Sequence, residues 1–183
     1  MLGVEPRRYG SYATKSYLKA KNEEAYANVF TVHYPDEERE AGRPLRQAPC
    51  YDRLKKLGAV FGAKFGWERA NFFAKEGEKP EDDWSFRRSK WFKNVEQECK
   101  NVKENVGLLD MSAFGKCRIK GPGAEEFLDK LVANKLPKKI GRINLCHALN
   151  TKGGVHSEFT IMREAEDSFY LVSAGAYQRL DHD

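Results

Sequence analysis

The sequence has no long apolar run, and this excludes the simplest membrane architecture. No stretch approaches the roughly 20 apolar residues that a bilayer-crossing helix needs. Near the N-terminus, Arg7, Arg8, Lys15 and Lys19 come where a secretion signal would have its apolar core. We therefore expect an intracellular protein that is not secreted and has no membrane partner.

The four cysteines lack the spacing that is typical of a metal site or a disulfide framework. Cys50, Cys99, Cys117 and Cys146 are far apart, without a Cys-x-x-Cys pair or a histidine cluster beside them. We expect no bound metal and no disulfides. Most of the four should be buried thiols, because an unpaired cysteine packs as a small apolar residue.

A dinucleotide-binding glycine pattern is also missing. Gly58, Gly62 and Gly66 are each four residues apart, whereas a pyrophosphate turn needs Gly-x-Gly-x-x-Gly between a strand and a helix. Turns and close backbone packing explain these glycines better. The chain by itself should therefore bind no flavin and oxidise no amine.

Charge gives little support to nucleic-acid binding. The net charge of +5 comes from 32 basic and 27 acidic residues, an excess too small to indicate such a partner. Clustered basic side chains are usually solvated surface. Aromatic residues are not interleaved with these basic residues on a sheet face. Of the three functions that we consider, a basic nucleic-acid-binding domain therefore has the least support. The two clusters are Arg87, Arg88, Lys90 and Lys93, and Lys135, Lys138, Lys139 and Arg142.

The periodicity of apolar residues predicts an α+β fold with an antiparallel sheet and packed helices. Helices are indicated where apolar residues recur every three or four positions, and strands where they alternate. The order of strands and helices in the second half is typical of an antiparallel sheet. Helices are predicted at about 9–28, 95–109 and 124–132, and strands at about 116–120, 142–149, 155–163 and 168–174.

One predicted strand carries an acidic residue in its middle. Gly153 and Gly154 make a tight turn, and the strand that follows places Glu158 on the side opposite Ser157 and Phe159. A charged group inside a strand indicates either a solvated face or a functional one. Alternation alone favours the solvated face.

Several segments, taken in order, are similar to those of a known family. The chain resembles the folate-binding aminomethyltransferase domain of the glycine-cleavage T protein family. More narrowly, it resembles the branch with dimethylglycine oxidase, dimethylglycine dehydrogenase and sarcosine dehydrogenase. The matching segments are Arg43 to Arg46, Gly58 to Gly62, Gly66 to Arg69, Val106 to Ser112, Ile119 to Leu128, Gly141 to Arg142, Leu149 to Asn150, Gly153 to Gly154 and Phe169 to Val172.

This resemblance implies a division of the chain and a set of ligands. Residues 1–85 would be the C-terminal segment of a flavoprotein central domain and its linker, and residues 86–183 the truncated first part of the folate-binding domain. Tetrahydrofolate is the implied cofactor, and FAD would bind only to an upstream domain of the parent protein. A small methylated amine is the implied substrate, in the bacterial cytoplasm or the mitochondrial matrix.

The resemblance also implies site residues. Glu158 corresponds to a catalytic acidic residue that is more often aspartate, and the implied folate-binding positions are Leu145, Val155, Glu158 and Ser173. Leu145 stands where the family usually has tyrosine, and Ser173 where it has asparagine. The first of our three interpretations is a segment of an amine oxidoreductase that binds tetrahydrofolate and transfers the released one-carbon unit to it. The differences at Leu145 and Ser173 favour the second interpretation, a catalytically inactive binding or regulatory module.

Overall fold

The computed structural model describes residues 6–182 and divides the chain into two compact units. The N-terminal unit contains Tyr9–Ala113, and the C-terminal unit contains the chain from Phe114 onward together with residues 6–8 of the described part. Within residues 6–182, no helix is both long enough and apolar enough to cross a bilayer.

The N-terminal unit contains three helices and one β-hairpin. Helix α1 begins after Thr14, because the Thr14 hydroxyl accepts a hydrogen bond from the amide of Tyr17 at 3.3 Å. A separate 3₁₀ helix precedes it, so the predicted helix over 9–28 is shorter than expected. The 3₁₀ helix (Pro6–Tyr12) includes residues of both units. The elements of the N-terminal unit are α1 (Lys15–Ala27), α2 (Tyr51–Lys56), β1 (Ala59–Lys64), β2 (Trp67–Phe73) and α3 (Trp91–Glu104).

The β1–β2 hairpin was not predicted from the sequence. Phe65 and Gly66 form its turn with φ angles of 51° and 80°, and Lys64 pairs with Trp67. Two positive φ angles in a two-residue loop match the right-handed twist of antiparallel strands. Gly62 is needed within β1 because a side chain there would collide with the Glu38 carboxylate. That carboxylate accepts a hydrogen bond from the amide of Ala63 at 2.5 Å.

Helix α3 ends earlier than its apolar spacing predicted. The prediction ran to Leu109, but the backbone leaves the helical region at Asn105 (φ −132°, ψ −121°). The side chain of Asn101 then donates to the carbonyl of Val106 at 3.0 Å, which satisfies a backbone group beyond the helix end. The predicted apolar face is also exposed, since Val102 is 62% exposed.

Polar side chains fasten α3 to β2. Asn94 Nδ2 donates to the carbonyl of Phe73 at 2.8 Å, and the Phe73 amide donates to Glu98 Oε1 at 3.1 Å. Asn94 and Glu98 are four residues apart and therefore lie on one face of the helix. Both backbone groups of Phe73 are satisfied in this way.

The C-terminal unit is a four-stranded antiparallel sheet with one packed helix. Its strands are ordered β3-β6-β5-β4, so the hairpin β4–β5 forms one side and β3 the far edge. This confirms the expected α+β class and antiparallel sheet. The elements are β3 (Gly115–Lys120), α4 (Ala124–Leu131), β4 (Ile143–Leu149), β5 (Val155–Ala165), β6 (Ser168–Ser173) and a 3₁₀ helix (Gly175–Tyr177).

The core of the C-terminal unit lies on one face of this sheet. Leu128 of α4, Ile161 of β5 and Phe169 of β6 are each 0% exposed. The rest of the cluster comprises Ala124, Val132, Leu136, Cys146, Ala148, Phe159 and Leu171. Alternate residues of the same strands point to the opposite face, which we call the open face. Its members on β4 are exposed or half-buried, namely Ile143, Leu145, His147 and Leu149.

Candidate functional site

The candidate site is built on the hairpin between β4 and β5. Asn150 organises the turn, because its Oδ1 accepts hydrogen bonds from the amides of Lys152 at 2.9 Å and Gly154 at 3.0 Å. Gly153 has a φ of 78°, a conformation that glycine adopts without strain. The backbone amide of Asn150 also donates to the carbonyl of Gly154 at 2.9 Å. The turn is thus fixed by the Asn150 side chain and joins the two strands as a hairpin.

A β-bulge lies directly next to this turn. Leu149 pairs with Val155, but Ala148 pairs with Ser157, so His156 is the extra residue. The bulge shifts every later pair by one position. As a result, His147 lies opposite Glu158 and Leu145 opposite Thr160.

Glu158 and His147 form a direct pair on the open face. Glu158 Oε2 lies 3.0 Å from His147 Nε2. The Glu158 side chain is 61% exposed and that of His147 is 35% exposed. A carboxylate can only accept hydrogen bonds, so His147 donates from Nε2. The pair therefore presents a hydrogen-bonded carboxylate on this face.

The structure brings together three of the four implied folate-binding residues. Leu145 and Glu158 share the open face on neighbouring strands, and Val155 is exposed opposite Leu149. Ser173 lies on the buried face of β6, opposite Gly115, and is 9% exposed. A side chain at Gly115 would approach the Ser173 hydroxyl to 2.8 Å. The Ser173 hydroxyl is thus packed inside the unit and does not line the open face.

His147 could not be identified as a site residue from the sequence, because a bulge sets its pairing with Glu158. Without the bulge, the turn would have paired His147 with Ser157 and left Glu158 opposite Cys146. Nothing in the residue spacing indicates where a bulge falls, so the pairing became visible only in the folded strands.

The second basic cluster lies along the outer edge of β4. Its loop is fastened there because Asn134 Nδ2 donates to the Leu145 carbonyl at 2.6 Å and Asn144 Nδ2 donates to the Lys135 carbonyl at 2.7 Å. Lys138, Lys139 and Arg142 are exposed in this loop, as is Lys135. The open face is therefore bordered by positive charge on the side of β4.

The cysteines and acidic groups give no metal centre. Among residues 6–182, no cluster of three or more histidine, cysteine, aspartate or glutamate side chains could hold an ion. All four cysteines are free thiols, and of these only Cys146 is buried, so the expectation that most would be buried is wrong. A hydrogen bond to Asp110 raises the pKa of the Cys50 thiol, and burial raises the pKa of Cys117 and Cys146.

The sheet with one covered and one open face defines an aminomethyltransferase-like fold. A solved structure of glycine cleavage system aminomethyltransferase T from Bartonella henselae matches it with a TM-score of 0.59 and 26% identity, over 74% of this chain and 33% of that chain. Residues 50–183 match the family model described as the GCVT N-terminal domain. The chain belongs to this family. Residues 1–48 match a second model, the FAD dependent oxidoreductase central domain.

Curated relatives contain both regions in one much longer chain. The mitochondrial dimethylglycine dehydrogenase of Homo sapiens is 38% identical over 182 residues, which are 99% of this chain and 21% of that protein. The 4-methylaminobutanoate oxidase (formaldehyde-forming) of Paenarthrobacter nicotinovorans is 33% identical over 177 residues, 96% of this chain and 22% of that protein. The chain thus spans about a fifth of the length of these relatives. The resemblance to the dimethylglycine and sarcosine dehydrogenase branch is confirmed.

Proposed function

We propose that this chain is part of a flavin-dependent oxidoreductase for dimethylglycine, sarcosine or a similar methylated amine. In this proposal its aminomethyltransferase-like part binds tetrahydrofolate and receives the carbon released from the amine. The order of the two family matches supports this, because a flavoprotein segment is followed directly by the folate-type domain. The division at residues 85 and 86, and a location in the bacterial cytoplasm or the mitochondrial matrix, are parts of the same proposal.

The observation that carries the proposal is the position of the Glu158 carboxylate on the open face. Tetrahydrofolate, when bound, would supply two amine nitrogens that take up a carbon at the oxidation level of formaldehyde. If that carbon comes from an iminium ion, the two N–H protons pass to the amine nitrogen, so atoms and charge balance. Glu158 would stabilise the positive charge and relay a proton at its carboxylate oxygen.

The apolar part of the open face fits a flat ring system next to this carboxylate. Leu145 is 49% exposed and Val155 is 64% exposed, and Ile143 and Leu149 extend the same surface. Exposed apolar patches beside a few polar groups are typical of ligand sites. Ser173 contributes no side chain to this surface. In our proposal, Leu145 and Val155 contact the ring and Glu158 acts on the reacting nitrogen.

The test is the variant Glu158→Gln in the full-length protein, assayed for amine oxidation and for methylenetetrahydrofolate. Amine oxidation should stay nearly unchanged, while methylenetetrahydrofolate should fall more than tenfold and free formaldehyde should accumulate. General acid–base help is typically worth about 10²- to 10⁴-fold. Glu158→Asp should retain most of the activity.

Glu164→Gln is the matched control, because Glu164 lies on the same strand and is paired with Arg118 at 2.5 Å. It should leave both products unchanged. If Glu158→Gln forms methylenetetrahydrofolate at the wild-type rate, the carboxylate is only strand surface. The chain would then be a binding or regulatory module without chemistry.

A further inference from the structure

His147 is the closest described polar neighbour of the proposed catalytic carboxylate. Its Nε2 lies 3.0 Å from Glu158 Oε2, across a directly opposed pair of strand residues. The bulge at Ala148 and Leu149 creates this opposition. Bulges frequently redirect a side chain next to a functional site.

We propose that His147 is a positioning residue for Glu158, an inference that rests on the proposed function. The imidazole donates its Nε2 proton to one carboxylate oxygen, and this leaves the second oxygen free towards the open face. The backbone of His147 is itself held, since its carbonyl accepts a hydrogen bond from the amide of Ala133 at 2.9 Å. A carboxylate fixed at one oxygen loses less freedom when it meets its ligand.

The other charged side chains of β5 and of the loop along β4 are either paired with oppositely charged side chains or exposed to solvent. On β5, Glu164 is bonded to Arg118, and Arg163 is bonded to Glu125 from the buried face. The remaining ionisable side chain of β5 is His156, the exposed bulge residue. The loop along β4 presents Lys135, Lys138, Lys139 and Arg142 to solvent. His147 therefore contacts Glu158 more directly than these groups do.

The experiment uses the full-length protein and two substitutions of His147. His147→Leu removes the donor, and His147→Gln keeps an N–H donor that does not titrate. We expect His147→Leu to lower kcat of folate-dependent transfer about tenfold or more, with a smaller change in the KM for tetrahydrofolate. His147→Gln should recover most of the rate, because its amide still donates a hydrogen bond to Glu158. His156→Gln, a change at a neighbouring exposed histidine, should keep the wild-type rate.

Two outcomes would overturn the proposal, and they differ. If His147→Leu keeps the wild-type rate while Glu158→Gln is slow, His147 is only a cross-strand contact, and the proposed function stands. If Glu158→Gln is as fast as the wild type, the proposed function of this site fails and the role of His147 fails with it. Should His147→Leu not fold, His147→Ala takes its place in the same assay.

Discussion

The two units of this chain are held together in different ways. The C-terminal unit has a continuous cluster of ten buried residues beneath one sheet face. In the longer N-terminal unit, the buried apolar residues among those described are Ala48, Ala59, Val60 and Phe72. Burial of apolar area is the main stabilising contribution in most domains. The longer unit therefore has the smaller apolar core.

In the N-terminal unit, hydrogen bonds and ion pairs of carboxylates provide part of the stabilisation that apolar burial provides in the C-terminal unit. Glu24 Oε1 accepts hydrogen bonds from the amides of Glu40 and Ala41, both at 2.8 Å. Glu68 is 5% exposed and pairs with Arg43 at 2.7 Å. Its hydrogen bond raises the pKa of the Arg43 guanidinium. Segments far apart in the sequence are thus joined by charged side chains, and such contacts depend on both partners being present.

The largest expected effect tests the core of the C-terminal unit. Phe169 is 0% exposed, so Phe169→Ala should lower the free energy of unfolding of this unit by about 3–5 kcal/mol. Phe127 is 55% exposed on α4, and Phe127→Ala should cost less than about 0.5 kcal/mol. Denaturant unfolding followed by the exchange of β5 and β6 amides measures both. Equal losses for the two phenylalanines would mean that the cluster is not the source of stability.

The next effect tests the ion pair of the N-terminal unit. Glu68→Gln leaves the Arg43 guanidinium, whose side chain is 15% exposed, without its charged partner. Removing one partner of a buried pair costs about 3 kcal/mol or more. Glu81→Gln is the control, since Glu81 pairs with Lys79 at the surface, where both side chains are at least half exposed. Unfolding of β1 and β2 should respond to the first change and not to the second.

The fold of the C-terminal unit could be predicted from sequence more fully than that of the N-terminal unit. Its strands and α4 have clear apolar periods, and the structure moves their ends by only a few residues. In the N-terminal unit the strands β1 and β2 contain one glycine and three charged residues that interrupt alternation. Their pairing depends on distant partners such as Glu38 and Arg43. A pattern within one segment cannot indicate contacts of that kind.

The candidate site shows the same limit on a smaller scale. Glu158 was identified from a resemblance, and its exposed strand position agrees with the alternation of β5. His147 could not be matched to it, because a bulge sets the register. Ser173 was placed in the pocket by correspondence of position, yet its side chain faces the core. Correspondence along a sequence specifies a position in the chain, while register and strand face decide what a side chain can contact.

Hydrogen exchange measures how stability differs along the chain. We expect amides of residues 1–90 to exchange faster than those of residues 95–173, by about tenfold to 100-fold between α1 and the strands β5 and β6. No residue of α1 is buried, whereas β5 alternates buried and exposed positions along most of its length. Uniform strong protection of both ranges would contradict the difference in stability that we infer.

The smallest expected effect concerns a carboxyl that opposes the stability of the N-terminal unit. Burial raises the pKa of Asp82. A hydrogen bond from the backbone of Asp83 opposes this, but the nearby carboxylates of Asp83, Glu38 and Asp36 act in the same direction as burial. Asp82 Oδ1 is buried and has no hydrogen-bond partner within the part of the chain that the structure describes. An unpaired buried acceptor is costly. The ionised form of Asp82 should therefore lower the stability of this unit at neutral pH.

Asp82→Asn tests this through the sign of its pH dependence. A carboxyl whose pKa is higher in the folded state binds its proton more readily when folded, so its contribution to stability improves as the pH falls. Asp82→Asn should raise the free energy of unfolding at pH 7, and this gain should vanish below about pH 4, where the aspartate is protonated in both states. Asp52→Asn, an exposed change on α2, should show no such trend. A gain that grows on acidification would mean that Asp82 is held in its charged form, and that carboxylates stabilise the N-terminal unit without exception.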